Sequence, residues 1–226
     1  MRIRSFGCSF IFGTVLKDDG RNEPRARASQ LTWPALLAQR LGVDYACDAR
    51  GGSGNLHIAD KVMMRATQER SDEIFIVQWS YIDRFDWIDP LAHERHYKDH
   101  SGWTGILPGN RDREGEFYYR HIHTQLFDQY RSLIQAAATV DLLVRRKQRF
   151  LMCYVDPLMF ERRFPLPNTL TALQEHLWPH MLDFETHDFV HWSRLQGFPI
   201  SGTGHPLEQA HQAAADLMWP HLERLL

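Results

Sequence analysis

Two segments near opposite ends of the chain carry the residue types that acyl transfer needs. In Gly7-Cys8-Ser9-Phe10 an apolar run stops at a glycine and presents a hydroxyl. In Ser201-Gly202-Thr203-Gly204-His205-Pro206 a polar, glycine-rich stretch presents a histidine. A serine hydroxyl is a poor nucleophile until a base within hydrogen-bond reach takes its proton, and a neutral imidazole has a suitable pKa for that task near pH 7. Each residue also has a plainer reading. Ser9 after a buried strand is a natural helix N-cap, His205 before a proline is an ordinary loop histidine, and Cys8 is a second nucleophile candidate whose surroundings favour burial.

Other chemistries find less support. Gly51-Gly52-Ser53-Gly54-Asn55 is not a Gly-x-Ser-x-Gly nucleophile elbow, because Asn55 stands where the last glycine would be. As a phosphate cradle it lacks the lysine and spacing of a P-loop. His93, His96 and His100, and the pair His176 and His180, have spacings at which helical histidines can share a zinc ion. Neither set has a third ligand on a clearly buried helix, and thirteen histidines produce such spacings by chance. No metal and no cofactor is expected.

The elements that must position Ser9 and His205 are readable from apolar periodicity. Residues 1–6 suit a short buried strand. Thr32 is a candidate N-cap for a helix with Trp33, Leu36, Leu37 and Leu41 on one face, Pro34 in its first turn and Gly42 just past its end. Residues 43–47 read as a second strand, 49–55 as a loop, and 56–69 as an amphipathic helix. Residues 73–79 form the nearly continuous apolar run of a strand covered on both faces. Residues 80 to about 115 break this rhythm and read as an insertion or lid over the Ser9 pocket. A long helix is expected over about 117–147, a buried strand over 149–156, a helix around 169–178, and a last helix with Pro206 near its first turn and Pro220 inside. Strands alternating with helices imply one α/β domain over residues 1–226, a three-layer sandwich with a mostly parallel sheet of flavodoxin-like type. In such sheets ligands bind beyond the carboxyl ends of the strands. That rule brings residues 7–13, 49–55, 78–84 and 201–206 to one edge.

Composition sets the outer bounds. Hydrophobic residues make up 43% of the 226, which excludes disorder, and a net charge of −2 provides no basic field for nucleic acid. The basic cluster Arg145-Arg146-Lys147 falls at a helix end, where cations complement the dipole. No window approaches the ~18 apolar residues of a membrane span, and the N-terminal run is broken by Gly7 and Gly13 before any cleavage site. Cys8, Cys47 and Cys153 cannot all pair and lie in or beside apolar runs, as in a cytoplasmic protein with buried thiols.

The ordered blocks also resemble those of the SGNH (GDSL-like) hydrolases. That family places its serine on a Gly-x-Ser turn after the first strand and its histidine in a His-Pro motif before the last helix. "GCSF" matches the first block with Ser9 at the nucleophile position, "ARGGSGN" resembles the second with Gly52 as the oxyanion-hole glycine, and "GHPLEQAH" resembles the last with His205 as base and His211 on the following helix. Two departures stand out. The Gly-x-Asn-Asp block is replaced by "VQWSYIDR", leaving Ser80, Gln78 or Asn55 as substitutes for the missing oxyanion donor. The usual aspartate three residues before the histidine is Gly202, so a backbone carbonyl in residues 200–203, Ser201, Asp156 or Asp188 must orient His205.

The resemblance implies a serine esterase acting on an O-acyl ester of a carbohydrate or small metabolite. Ser9 would attack, His205 shuttle the proton, and the amides of Ser9 and Gly52 hold the oxyanion. Asn55, Trp79, Ser80 and Arg84 are the expected substrate-binding side chains, with Trp79, Tyr81, Trp87 and Trp103 as an apolar or sugar-stacking wall and Arg84 facing an anionic group. The alternative is a non-catalytic protein that uses the same pocket to bind a small molecule or carbohydrate.

Overall fold

The computed structural model describes residues 1–19, 27–68, 72–89, 102–162 and 168–226. In chain order the elements are β1 (Arg2–Phe6), α1 (Ser9–Phe12), α2 (Trp33–Leu41), β2 (Asp44–Cys47), α3 (Asn55–Thr67), β3 (Glu73–Trp79), β4 (Phe85–Ile88) and β5 (Trp103–Ile106). They continue with α4 (Arg113–His121), α5 (Gln125–Arg145), β6 (Arg149–Tyr154), α6 (Asn168–Leu177), α7 (Phe189–Leu195) and α8 (Glu208–Glu223). The main sheet runs β2-β1-β3-β6, all parallel, and β4 pairs antiparallel with β5 in a separate hairpin. This is the doubly wound order in which the chain reverses direction at β1.

Every residue of β3 is buried, as its unbroken apolar run demands of a strand covered on both faces. The period-2 alternation of a strand divides it between two cores. Ile74 and Ile76 pack with Leu37, Leu151, Ala214 and Met218, while Phe75 and Val77 pack with Ile58, Val62, Leu133 and Val140. Truncating a buried residue such as Ile76 to alanine would cost about 2–5 kcal/mol. Helices α2, α7 and α8 therefore cover one face, and α3, α5 and α6 the other. At the start of β3, buried Glu73 accepts from Arg4 and from Arg65 Nε (2.8 Å), while Arg4 Nη1 reaches Asp48 at 2.9 Å.

One expectation is corrected by the fold. The helix expected over 117–147 is broken: Thr124 caps a new helix by accepting from the Phe127 N–H at 3.1 Å. Buried Asp128 fastens the break, accepting from the Tyr118 hydroxyl and lying 2.6 Å from His123 Nδ1. Residues 80 to about 115 contain the β4–β5 hairpin where no period was legible. Pro220 is accommodated inside α8.

Strand register aligns the loops that carry the candidate chemistry. Ser5 pairs with Cys47 and with Ile76, and Phe6 with Val77, so β1, β2 and β3 deliver residues 7–13, 48–54 and 80–84 to the same edge of the sheet.

Candidate active site

The turn after β1 is built on a close approach. A Cβ at Gly7 would lie 2.7 Å from Ile11 Cγ1 and 3.2 Å from the Gln78 carbonyl oxygen, so only glycine lets the chain double back against β3. Cys8 occupies the N-cap position of the one-turn helix α1 and its side chain is buried in the core. Ser9 is therefore not a cap. Its hydroxyl turns instead to His205, with 2.8 Å between Oγ and Nε2.

His205 is held by a small hydroxyl-rich loop. The Ser201 N–H donates to the His205 carbonyl at 2.8 Å, the His205 N–H donates to Ser201 Oγ at 3.0 Å, and Ile200 bridges to Pro206. On the imidazole, Nδ1 lies 3.0 Å from Thr203 Oγ1, which lies 3.0 Å from Ser201 Oγ. With the proton on Nδ1 the chain of donors is consistent: Ser9 O–H to Nε2, Nδ1–H to Thr203, Thr203 O–H to Ser201. In that tautomer Nε2 is the atom able to take the Ser9 proton. Of Thr203 only the backbone carbonyl, not the hydroxyl, was among the sequence candidates for orienting His205.

The candidate carboxylates have other work. Asp156 accepts from the N–H groups of Ile82 (2.9 Å) and Leu158 (3.0 Å), and burial pushes its pKa up to about 6. Asp188 caps α7, accepting from Val190 and His191. His211 is fully buried, and its Nδ1 accepts the first N–H of α2, from Trp33, at 3.2 Å. Burial, and then the nearby His205, push its pKa down to about 3, so it stays neutral. It fills the capping role expected of Thr32, whose hydroxyl lies 3.4 Å from the Tyr45 hydroxyl.

The loop after β2 is tied to the serine turn: the Asp48 N–H donates to the Ser5 carbonyl (2.9 Å) and the Arg50 N–H to the Gly7 carbonyl (3.2 Å). Gly52, two residues on, has φ +81°, a conformation that suits glycine.

Of the expected substrate-binding residues, three lie in the interior. Asn55 donates to the Ser80 carbonyl (3.2 Å) and to Ser132 Oγ (3.0 Å) and accepts from the Ser80 N–H (2.7 Å). Both of its donors are spent, so it has none left for an oxyanion. Ser80 and Gln78 are fully buried, and Trp79 packs in the core with Phe6, Ile58 and Met159, which corrects its assignment to a pocket wall. The sequence missed this because an aromatic at the end of a strand looks alike whether it faces inward or outward.

Arg84 is half-buried. It donates to the Ser53 carbonyl at 3.1 Å, and its guanidinium lies 5.1 Å from the centre of the Tyr81 ring. Tyr81 lies 6.2 Å from Phe10, and Phe10 4.9 Å from the His205 ring. These ring contacts link His205 to Arg84, with Phe10 itself buried beneath them. Burial pushes the Tyr81 phenol up to about 12, so it remains a donor. Trp103 is a structural residue whose indole donates to Asp60 at 3.0 Å.

His93, His96 and His100 lie outside the described residues. His176 and His180 have rings 6.3 Å apart, with His176 Nε2 at 2.9 Å from Asp141. Among the described residues no group of three or more histidine, cysteine or acidic side chains could hold a metal, and no helix is long and apolar enough to cross a membrane.

No protein-family model matches the sequence, and no curated protein matches it. Solved structures do. A lipolytic protein of the G-D-S-L family from Veillonella parvula is 13% identical with TM-score 0.51, over 100% of both chains. The psychrotrophic esterase EstA from Pseudoalteromonas is 12% identical with TM-score 0.52, over 99% of this chain and 97% of that one. A carbohydrate esterase family 2 enzyme from Corynascus thermopiles is 14% identical with TM-score 0.55, over 99% of this chain and 66% of that one. Likeness at such low identity speaks for the backbone alone, and over nearly the whole length it speaks consistently: this chain has the fold of the SGNH (GDSL-like) hydrolases.

Proposed function

We propose that the chain is a serine hydrolase that cleaves an O-acyl ester of a carbohydrate or other small metabolite. The observation that carries this reading is the 2.8 Å contact between Ser9 Oγ and His205 Nε2. Ser9 Oγ attacks the ester carbonyl carbon as its proton passes to Nε2, and the carbonyl oxygen becomes an oxyanion. The Ser9 and Gly52 amides donate to that oxygen, where one preorganised donor is worth about 10²–10³ in turnover. The intermediate collapses, the C–O bond to the alcohol breaks, and the alcohol leaves with the proton from Nε2. Water then releases the acyl group from Ser9 with His205 again as base. Tyr81 provides a ring face for the substrate, and Arg84 a cation for an anionic substituent. Three free cysteines, Cys8, Cys47 and Cys153, suit a reducing cytoplasmic setting.

A second reading rests on one specific feature. His205 Nδ1 meets the neutral hydroxyl of Thr203 where serine triads have a carboxylate, which favours a non-catalytic pocket that binds a carbohydrate or small molecule. Incubation with a fluorophosphonate probe separates the two. Labelling that disappears in Ser9→Ala supports the hydrolase; an unlabelled protein without turnover of aryl esters rejects it.

A further inference from the structure

The β4–β5 hairpin is fastened to the loop that carries Gly52 by contacts from both strands. Asp86, in β4, is buried, and its two oxygens accept from the Gly54 N–H (2.8 Å) and the His57 N–H (2.9 Å), the orphan donors at the start of α3. Arg84 Nη1 donates to the Ser53 carbonyl at 3.1 Å. In return, Arg50 Nη1 donates to the Trp103 carbonyl, in β5, at 3.0 Å.

Two glycines let the surfaces touch. A Cβ at Gly105, in β5, would stand 2.7 Å from the Gly52 carbonyl oxygen. A Cβ at Gly54 would stand 2.6 Å from Asp86 Oδ2 and 2.9 Å from the Arg84 carbonyl oxygen. Gly105 has an ordinary extended conformation, so its need for glycine is one of space. Gly52 is the opposite case. At φ +81° it sits in the turn closed by the Ser53 N–H on the Arg50 carbonyl (3.2 Å), and β5 backs that turn at the Gly52 carbonyl.

The geometry points to the hairpin as the brace that aims the Gly52 amide, with Asp86 and Gly105 as positioning residues. This inference rests on the hydrolase reading. It makes the insertion part of the transition-state machinery in addition to any role as a cover. A methyl at Gly105 has to push the Gly52–Ser53 peptide, whose carbonyl it meets, and through the Gly52 Cα it disturbs the neighbouring Gly51–Gly52 peptide that carries the amide; Asp86→Asn keeps the shape of the carboxylate but sets an NH₂ against an N–H.

The test uses the full chain with Gly105→Ala, Asp86→Asn and, as a control, Ile88→Ser on the exposed part of β4. A displaced oxyanion donor is expected to lower kcat on an aryl ester by about ten- to a hundred-fold, less than outright loss of a donor. KM should stay within about twofold, and fluorophosphonate labelling should slow in parallel, because the lost contact is made only in the transition state. Amide exchange at Gly52, Gly54 and His57 should accelerate in both variants, with Ile88→Ser unchanged throughout. A merely structural hairpin would lower the melting temperature and leave kcat per folded molecule alone. The proposal is overturned if both variants keep kcat within twofold, or if their amide exchange is unaltered. If Gly105→Ala does not fold, Asp86→Asn alone decides between these outcomes. A wild-type protein that is neither labelled nor active rejects the hydrolase reading instead, and the exchange data still decide whether the hairpin braces the loop.

Discussion

Thr203 Oγ1 stands 3.0 Å from His205 Nδ1, with Ser201 Oγ a further 3.0 Å behind it. A hydroxyl in this position can fix the tautomer and hold the ring. It cannot offset the positive charge that develops when Nε2 takes the Ser9 proton, as a carboxylate does. The site is thus organised for proton transfer, with a hydroxyl at the position where a full triad has its carboxylate.

Two substitutions measure those contributions separately. Thr203→Val preserves the shape and removes the hydroxyl, and esterase kcat should fall about tenfold, the value of one hydrogen bond. Gly202→Asp fits sterically, since a Cβ there meets nothing within 4 Å. Its turnover should rise by about one or two orders of magnitude of the ~10⁴ that a triad loses with its aspartate. Steady-state kinetics on a simple aryl ester reads both. Unchanged kcat in Thr203→Val would remove Thr203 from the orienting role, and a fall in Gly202→Asp would show that the loop has no use for a carboxylate.

His211 links acidity to stability. Its pKa falls from an unfolded value of about 6.5 to about 3 in the fold because burial disfavours the cation. Between those values the unfolded chain binds the proton and the folded one does not, so the stability contribution is whole above pH 6.5 and is lost as pH falls. Asp156, raised to about 6, works in the opposite sense between its ordinary carboxylate value and 6, so the wild-type curve alone is ambiguous. His211→Gln isolates the effect. Near pH 7.5 it should match or trail the wild type, and on acidification the balance should move in its favour by about 1.4 kcal/mol per pH unit. Urea melts of both proteins at pH 7.5 and pH 5 check this. A constant difference would mean that His211 titrates in the fold as it does in the unfolded chain.

The central sheet was legible because a strand such as β3 must be apolar throughout when both faces are covered. Ser9 could be placed from sequence because the ends of parallel strands share one edge, whereas His205, in the loop between α7 and α8, was legible only through its His-Pro block. The residues behind them were not legible. Thr203 is one hydroxyl among several, and nothing in its neighbours marks it as the partner of Nδ1. Asn55 sits in a glycine-rich loop that resembles an oxyanion block, yet it is the first residue of α3 and faces inward. The break between α4 and α5 depends on Asp128 gathering Tyr118, His123 and Arg131, which helical periodicity does not register. In each case a specific side-chain partner decides the outcome, and pattern and propensity say nothing about it.

Asn55 offers the sharpest separation of a sequence-level role from the structural one. If it were an oxyanion donor, Asn55→Ala would lower kcat and leave the fold alone. The structure makes it a bracket joining α3 to the end of β3 and to α5 through Ser132. Removing it strands the Ser80 N–H and carbonyl in the interior, and an unmet buried group costs about 1–3 kcal/mol. Asn55→Ala should therefore lose about 2–4 kcal/mol and melt ~5–15 °C lower, while the folded fraction keeps kcat within a fewfold of the wild type. Asn55→Asp keeps the acceptor for the Ser80 N–H but turns an oxygen toward the Ser80 carbonyl, and should lose at least as much. Calorimetry with active-site titration of the folded fraction distinguishes the outcomes. A stable Asn55→Ala protein with turnover reduced by about 10²–10³, the signature of a lost oxyanion donor, would return Asn55 to the catalytic machinery.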